Sequence, residues 1–209
     1  MQRSRHKEQA LVFTRYPQPG STKTRLAKVL GNRGAAALQK KLTEKTLARV
    51  RQFLQKNRAA AAVYHEGGSR EEMRQWLGPD LDYRAQPDGD LGQRLAGAFR
   101  EAFGQGCLRV VIIGADCPDL LASHIAEAFS ILRSRDLVLG PATDGGYYLI
   151  GLSRPEPALF AAIPWGTGNV LEKTLEIAVQ KGLSLAQLET LSDVDRPEDL
   201  QHLDYHTGL

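Results

Sequence analysis

Cysteine is nearly missing from this 209-residue chain, which has only Cys107 and Cys117. Two thiols cannot build a disulfide framework, and neither stands in a Cys-x-x-Cys or Cys/His metal spacing. A reduced, cytoplasmic setting is therefore expected. Long apolar runs are missing too. The longest, such as Val110 to Gly114, fall far short of the roughly 20 residues of a membrane helix, so no membrane insertion is expected. The N-terminus is basic from Met1 to Lys7, yet Glu8 and Gln9 follow, and the apolar run from Ala10 to Phe13 is too short for the core of an export signal. Charge of one sign is not in excess: 27 Lys plus Arg stand against 24 Asp plus Glu, a net +3. That balance does not by itself suggest a nucleic-acid binder, whose basic residues would gather on one face. Internal repeats, linkers and domain boundaries are absent from the pattern.

Hydrophobic residues make up 42% of the chain and charged residues 24%, enough for a core and for solubility, which argues against disorder. At one domain per roughly 100 to 200 residues, the reading is a single domain over residues 10–209 behind a basic, flexible leader, residues 1–9. Short apolar runs alternate with longer amphipathic ones, the pattern of an α/β domain with a largely parallel sheet. Strands are expected at 10–14, 59–64, 81–86, 109–114, 137–140, 147–151 and 183–188. Helices are expected at 35–54, 71–77, 91–103, 123–132 and 170–181. Val110-Val111-Ile112-Ile113 has no polar alternation, which suits a strand buried on both faces, so 109–114 should be central.

Three segments carry chemistry. In Pro19-Gly20-Ser21-Thr22-Lys23-Thr24-Arg25-Leu26, a glycine loop precedes a helix and two cations follow the glycine, which is what a di- or triphosphate requires. A Walker A loop is excluded, because Ser21 follows Gly20 where that loop needs Lys. An ordinary turn with an exposed basic helix start is the other reading, although cations sit poorly at a helix N-terminus without an anion. In Gly114-Ala115-Asp116-Cys117-Pro118-Asp119, Asp116 stands just past the carboxyl end of the central strand, where open α/β sheets place ligands. Asp119 reads as a helix N-cap or first-turn acid, and Cys117, with no flanking base, as packing. In Ser192-Asp193-Val194-Asp195-Arg196-Pro197, alternation places both acids on one face. They would repel unless a divalent cation or a cationic partner sits between them, or Asp195 instead caps a helix begun by Pro197.

Two glycine loops add weaker signals. Gln86 and Asp90 flank Pro87-Asp88-Gly89, and Asp144 precedes Gly145-Gly146-Tyr147; these offer base, ribose or acceptor-hydroxyl contacts, with glycines that let a ligand approach the backbone. Trp165 is a candidate floor for an acceptor pocket. His202 and His206 have helical spacing but no third ligand, so they read as surface residues.

Taken in order, Pro-x-Pro-Gly-x-x-Lys-Thr-Arg-Leu, Gly-Asp-Leu-Gly-x-Arg, Gly-x-Asp-Cys-Pro, Asp-Gly-Gly-Tyr-Tyr-Leu-Ile-Gly-Leu and Asp-Val-Asp-x-Pro-Glu-Asp-Leu resemble the DUF2064 proteins across nearly the whole chain. Those are bacterial proteins with a GT-A, nucleotide-diphospho-sugar transferase-like fold, related to the guanylyltransferases of molybdopterin and phospholactate metabolism. The resemblance implies a three-layer α/β/α sandwich with a mostly parallel, mixed sheet. It implies a nucleotide over the sheet's carboxyl edge, with Gly20, Lys23 and Arg25 at phosphates and Gln86, Gly89 and Asp90 near base or ribose. Asp144, Gly145, Gly146 and Trp165 would face an acceptor or sugar. Asp116 and Asp195 would hold Mg²⁺ or Mn²⁺, with Asp193 left open. A glycosyltransferase Asp-x-Asp would need an acid at Pro118, whereas relatives that transfer nucleotides pair one such Asp with a distant acid. The expected activity is a metal-dependent transfer from a nucleotide sugar or a nucleoside triphosphate to a small-molecule acceptor, with Lys23 and Asp116 catalytic. A nucleotide-binding module without turnover is the alternative.

Overall fold

The computed structural model describes residues 7–203. Residues 1–6 of the expected leader, His6 among them, and His206 lie outside that range. Strands and helices alternate along the chain: β1 (Glu8–Arg15), α1 (Ala27–Lys56), β2 (Ala60–Glu66), α2 (Arg70–Leu77), β3 (Asp82–Ala85), α3 (Leu91–Gly104), β4 (Arg109–Gly114), α4 (Ala122–Ile131), β5 (Leu137–Pro141), β6 (Tyr147–Leu152), α5 (Val170–Gln180) and β7 (Leu185–Gln187). The expected strands and helices are all present, with ends moved by a few residues, except that the first helix starts at Ala27 and not at residue 35. β1 takes in Glu8 and Gln9, which the sequence reading placed in the leader, because Glu8 pairs with Arg109 on β4 and Gln9 is buried.

The strands form one sheet in the order β3-β2-β1-β4-β6-β5-β7. β6 runs antiparallel to β4 and β5, and the other pairs are parallel. β4 is the middle strand, as its unbroken apolar run requires. Period-2 alternation sends Ala10 and Val12 of β1 to one face, against Leu47, Val50 and Phe53 of α1 and Ile125 and Phe129 of α4. Leu11 and Phe13 go to the other, against Leu95, Ala98 and Phe99 of α3 and Ala178 of α5. The result is the three-layer α/β/α sandwich.

From β1 the chain winds outward to β2 and β3, then returns to place β4 on the other side of β1. The crevice at such a reversal, beyond the carboxyl ends of the strands, is where open α/β sheets bind ligands. α1 starts earlier than its apolar pattern because a first turn, Ala27 to Leu30, is set off by Gly31 at φ 68° and ψ 165°. That break lets the regular helix pack on the sheet while the preceding segment bends over the crevice. Asp119 is neither a cap nor a first-turn acid: α4 begins only at Ala122, after the non-polar Leu121.

Candidate functional site

A cleft of about 580 Å³ opens along the carboxyl edge of the sheet. At its centre is Lys23, whose backbone takes the left-handed conformation at φ 49°, costly for a residue with a side chain. The turn is held by Leu26 and Ala27, whose N–H groups donate to the Lys23 carbonyl. It delivers a side chain only 2% exposed, whose Nζ donates to the Val194 carbonyl at 2.7 Å. The same Nζ lies 2.7 Å from Asp116 Oδ1 and 3.9 Å from Asp195 Oδ1. Arg25 Nη1 reaches Asp195 Oδ2 at 2.5 Å. Asp116, Lys23, Asp195 and Arg25 thus form a chain of alternating charge. The Val194 N–H donates to the Asp116 carbonyl, fastening the acidic segment to the loop after β4.

Asp193 lies on the same side and joins Asp144 in lining the cleft. Burial pushes its carboxyl up to about 6, and the neighbouring carboxylates of Asp144, Asp199 and Asp116 push the same way. Among the described residues no group of three or more His, Cys, Asp or Glu forms a cage for a metal. Mg²⁺, however, is usually held by one or two carboxylates together with substrate phosphates. The hard oxygens of Asp116 and Asp195, in a cluster with more acids than cations, fit that donor set. The alternative of Asp195 as a helix cap is not what forms: the Asp199 carboxylate accepts from the N–H groups of Asp195 and Arg196 instead.

On the β1–β2 side, the Gln86 amide donates to the Thr14 and Tyr64 carbonyls, and its Oε1 accepts from Arg94. Arg94 and Arg15 both pair with Glu66, at 3.0 and 2.9 Å. On the β6 side, Trp165 meets Tyr147 edge-on, 6.4 Å between ring centres. It also packs on Gly92, where a Cβ would stand 2.6 Å from the indole Nε1.

Lys23, Arg25, Gln86, Asp116, Asp144, Gly146, Trp165 and Asp195 are therefore brought together around one cleft. Gly20, Gly89, Asp90 and Gly145 do not line it. The Asp90 carboxylate accepts from the Gln93 N–H as the N-cap of α3. Gly89 supplies the positive φ of 106° before that cap. Gly145, at φ 87°, lies where a Cβ would meet the Gly168 carbonyl at 2.0 Å. Cys117 is packing, as its sequence context suggested, with its thiol held protonated by burial and by the Asp193 and Asp116 charges. Sequence reasoning missed Arg15, Gln39, Glu66 and Arg94. Arg15 and Glu66 end their strands at the ligand edge, and Arg94 lies in the first turn of α3, where a cation implies an anion nearby. Gln39 interrupts the apolar face of α1.

The chain matches the family described as "Uncharacterized protein conserved in bacteria (DUF2064)" over residues 46–167. No curated protein matches it. A protein from Desulfovibrio desulfuricans G20, provisionally assigned as a nucleotide-diphospho-sugar transferase, is 34% identical over 97% of this chain and 90% of its own, with a TM-score of 0.85. CMP:2-keto-3-deoxy-manno-octonic acid synthetase in complex with CTP shares the fold at 14% identity and a TM-score of 0.59, over 94% of this chain and 96% of its own. The Rv0371C protein of Mycobacterium tuberculosis H37Rv in complex with manganese does so at 15% identity and 0.57, over 94% and 97%. The family match over more than half the chain, the relative at 34% identity and the mixed seven-stranded sheet agree: the chain belongs to the DUF2064 family and has the GT-A-like fold of nucleotidyl and nucleotide-sugar transferases.

Proposed function

We propose that the chain is a divalent-metal-dependent transferase that uses a nucleotide-activated donor, with nucleotidyl transfer from a nucleoside triphosphate as the preferred reaction. The observation that carries this reading is the buried Lys23 ammonium, held between Asp116 and Asp195 in the cleft with Arg25 beside it. Lys23 and Arg25 already offset Asp116 and Asp195, so a polyphosphate brings negative charge that a further cation must offset. Mg²⁺ or Mn²⁺ bound by Asp116 and Asp195 would offset phosphate charge there. Lys23 supplies a donor fixed before the reaction, which stabilises charge developing on the phosphate oxygens, while the more exposed Arg25 would help to bind the phosphates. An acceptor oxygen attacks the α-phosphorus, the bond from that phosphorus to the bridging oxygen breaks, and pyrophosphate leaves. Trp165, Tyr147 and Asp144 form the wall on which a small acceptor with hydroxyl groups would rest.

Glycosyl transfer from a nucleotide sugar, with a nucleoside diphosphate leaving, is the second reading, and the D. desulfuricans relative supports it. A binding module without turnover is disfavoured, since pure binding gains little from two acids beside a polyphosphate. The deciding experiment measures pyrophosphate and nucleoside diphosphate release across nucleoside triphosphates and nucleotide sugars, with Mg²⁺, with Mn²⁺ and with EDTA. Metal-dependent pyrophosphate release supports nucleotidyl transfer. Nucleoside diphosphate release from a sugar donor supports the second reading, and no release of either refutes both.

A further inference from the structure

The loop after β5 runs beside the acidic segment: Ala142 bridges to Leu191 in parallel, and the Thr143 N–H donates to the Leu191 carbonyl. Asp144 and Asp193 each stand two residues past that bridged pair, and both line the cleft. A turn holds Asp144 in place. The Gly145 N–H donates to the Ala142 carbonyl, and Asp144 Oδ1 accepts from the Gly146 N–H at 2.8 Å. Charge pairing then sets these two acids apart from the rest of the cleft. Lys23 and Arg25 are engaged with Asp116 and Asp195, and Arg15 and Arg94 with Glu66. Every Lys and Arg that lines the cleft is therefore already paired, and none of them with Asp144 or Asp193. Arg196 lines only the adjoining cavity of about 220 Å³ that the two acids also border, and no ion pair joins it to either.

The aromatic wall of the cleft is a separate observation at the same place. Trp165 and Tyr147 line the cleft edge-on to each other. The loop that carries Trp165 touches the Asp144 turn, since a Cβ on Gly168 would stand 3.4 Å from the Asp144 carbonyl. Aromatic rings beside carboxylates suit an organic ammonium: the ring quadrupole attracts the cation and the carboxylates offset its charge. A phosphate-bearing acceptor would instead add negative charge next to two unpaired acids, with no free cation in the cleft to meet it. Resting on the nucleotidyl-transfer reading above, we propose that the acceptor is a hydroxyl compound that carries an ammonium group and no phosphate, and that Asp144 and Asp193 are the specificity-determining residues that select it. Its hydroxyl oxygen bonds to the α-phosphorus as pyrophosphate leaves, and the hydroxyl proton passes to solvent. The product is then a phosphodiester.

The test is calorimetric titration of the unmutated chain, Asp144→Asn and Asp193→Asn. Each is first titrated with an equimolar mixture of ADP, GDP, CDP and UDP in excess Mg²⁺, which fills the phosphate site. Choline, its uncharged analogue with carbon in place of nitrogen, and glycerol phosphate are then added separately. Asparagine at position 144 keeps an Oδ1 for the Gly146 N–H, and Asp193→Asn removes charge from a crowded site, so both variants should fold. Choline should bind the unmutated chain about tenfold tighter than the uncharged analogue, the effect of one ammonium on an aromatic and carboxylate wall. Glycerol phosphate should bind more weakly than choline. Each variant should lose about fivefold or more for choline and stay within about twofold for the uncharged analogue. Equal binding of choline and its analogue, tighter binding of glycerol phosphate, binding of none of the three, or unchanged choline binding by both folded variants overturns this inference and leaves the proposed function standing. No binding of the nucleotide mixture by the unmutated chain overturns both. The comparison on the unmutated chain decides the acceptor class even if a variant does not fold.

Discussion

Lys23 has two partners of different kinds, and its substitution should show both. The Val194 carbonyl is a structural partner, and the Asp116 carboxylate, 47% exposed, belongs to the cleft. Lys23→Ala should lower kcat by about 10² or more, the usual loss for one preorganised donor. It should also lower stability by about 1–3 kcal/mol through the orphaned carbonyl, measured by urea denaturation. Arg25 is more than half exposed and already paired with Asp195, so Arg25→Ala should chiefly raise KM and leave kcat within a few-fold, the mark of uniform binding. A fall in kcat for Arg25→Ala as large as that for Lys23→Ala would reverse this ranking. Asp193 is crowded by the charges of Asp144, Asp199 and Asp116. Removing one charge with Asp193→Asn should stabilise the metal-free protein at neutral pH by about 1 kcal/mol, a reduced figure because water screens part of the repulsion. A lowered Tm in EDTA would refute that expectation.

At the scale of elements, β7 is a three-residue edge strand, and one carboxylate reinforces its backbone pairing with β5. Asp136 Oδ2 accepts from the Ser184 N–H at 2.9 Å and the Ser184 hydroxyl at 2.8 Å, while Oδ1 accepts from Arg154. These hydrogen bonds, with that from Ser184 the largest, lower the Asp136 carboxyl to about 2. A carboxyl lowered in the folded state contributes stability that is fully present above its unfolded pKa of about 3.9 and is lost as pH falls through its folded value. Asp136→Asn should therefore cost about 1 kcal/mol at pH 7, after allowing for solvent screening at this surface position. The difference from the unmutated chain should shrink between about pH 4 and pH 2, in chemical denaturation followed across pH; a gap constant down to pH 2 would refute the assignment. The start of α3 depends on Gly92, where a Cβ would stand 2.6 Å from both the Phe160 carbonyl and the Trp165 indole nitrogen. Gly92→Ala should destabilise by about 1–3 kcal/mol, as overpacking does, and should change the tryptophan fluorescence.

At the scale of the whole molecule, ligand and metal should act as one unit. A nucleotide added with Mg²⁺ at a hundredfold excess over its Kd should stabilise the fold by about 2.7 kcal/mol, and the same nucleotide in EDTA should give little or no shift in Tm. Equal shifts in the two conditions would remove the metal from the site. The sequence by itself determined the alternation of strands and helices, the central place of β4, and the position of Asp116 just past the carboxyl end of that strand. Those follow from period-2 and 3.6-residue patterns and from glycine turns, which act between near neighbours in the chain. Gly89 and Asp90 misled for the same reason: a capping box and a positive-φ turn satisfy the backbone locally and have the same composition as a ligand loop. Only the tertiary structure decided that Lys23 is buried against Val194, 171 positions away. It also decided that Arg15 and Arg94 share Glu66, and that the buried Gln39 of α1 meets Thr14 at the end of β1. These contacts join elements that become neighbours only when the sheet order reverses at β1, and no local periodicity carries that order.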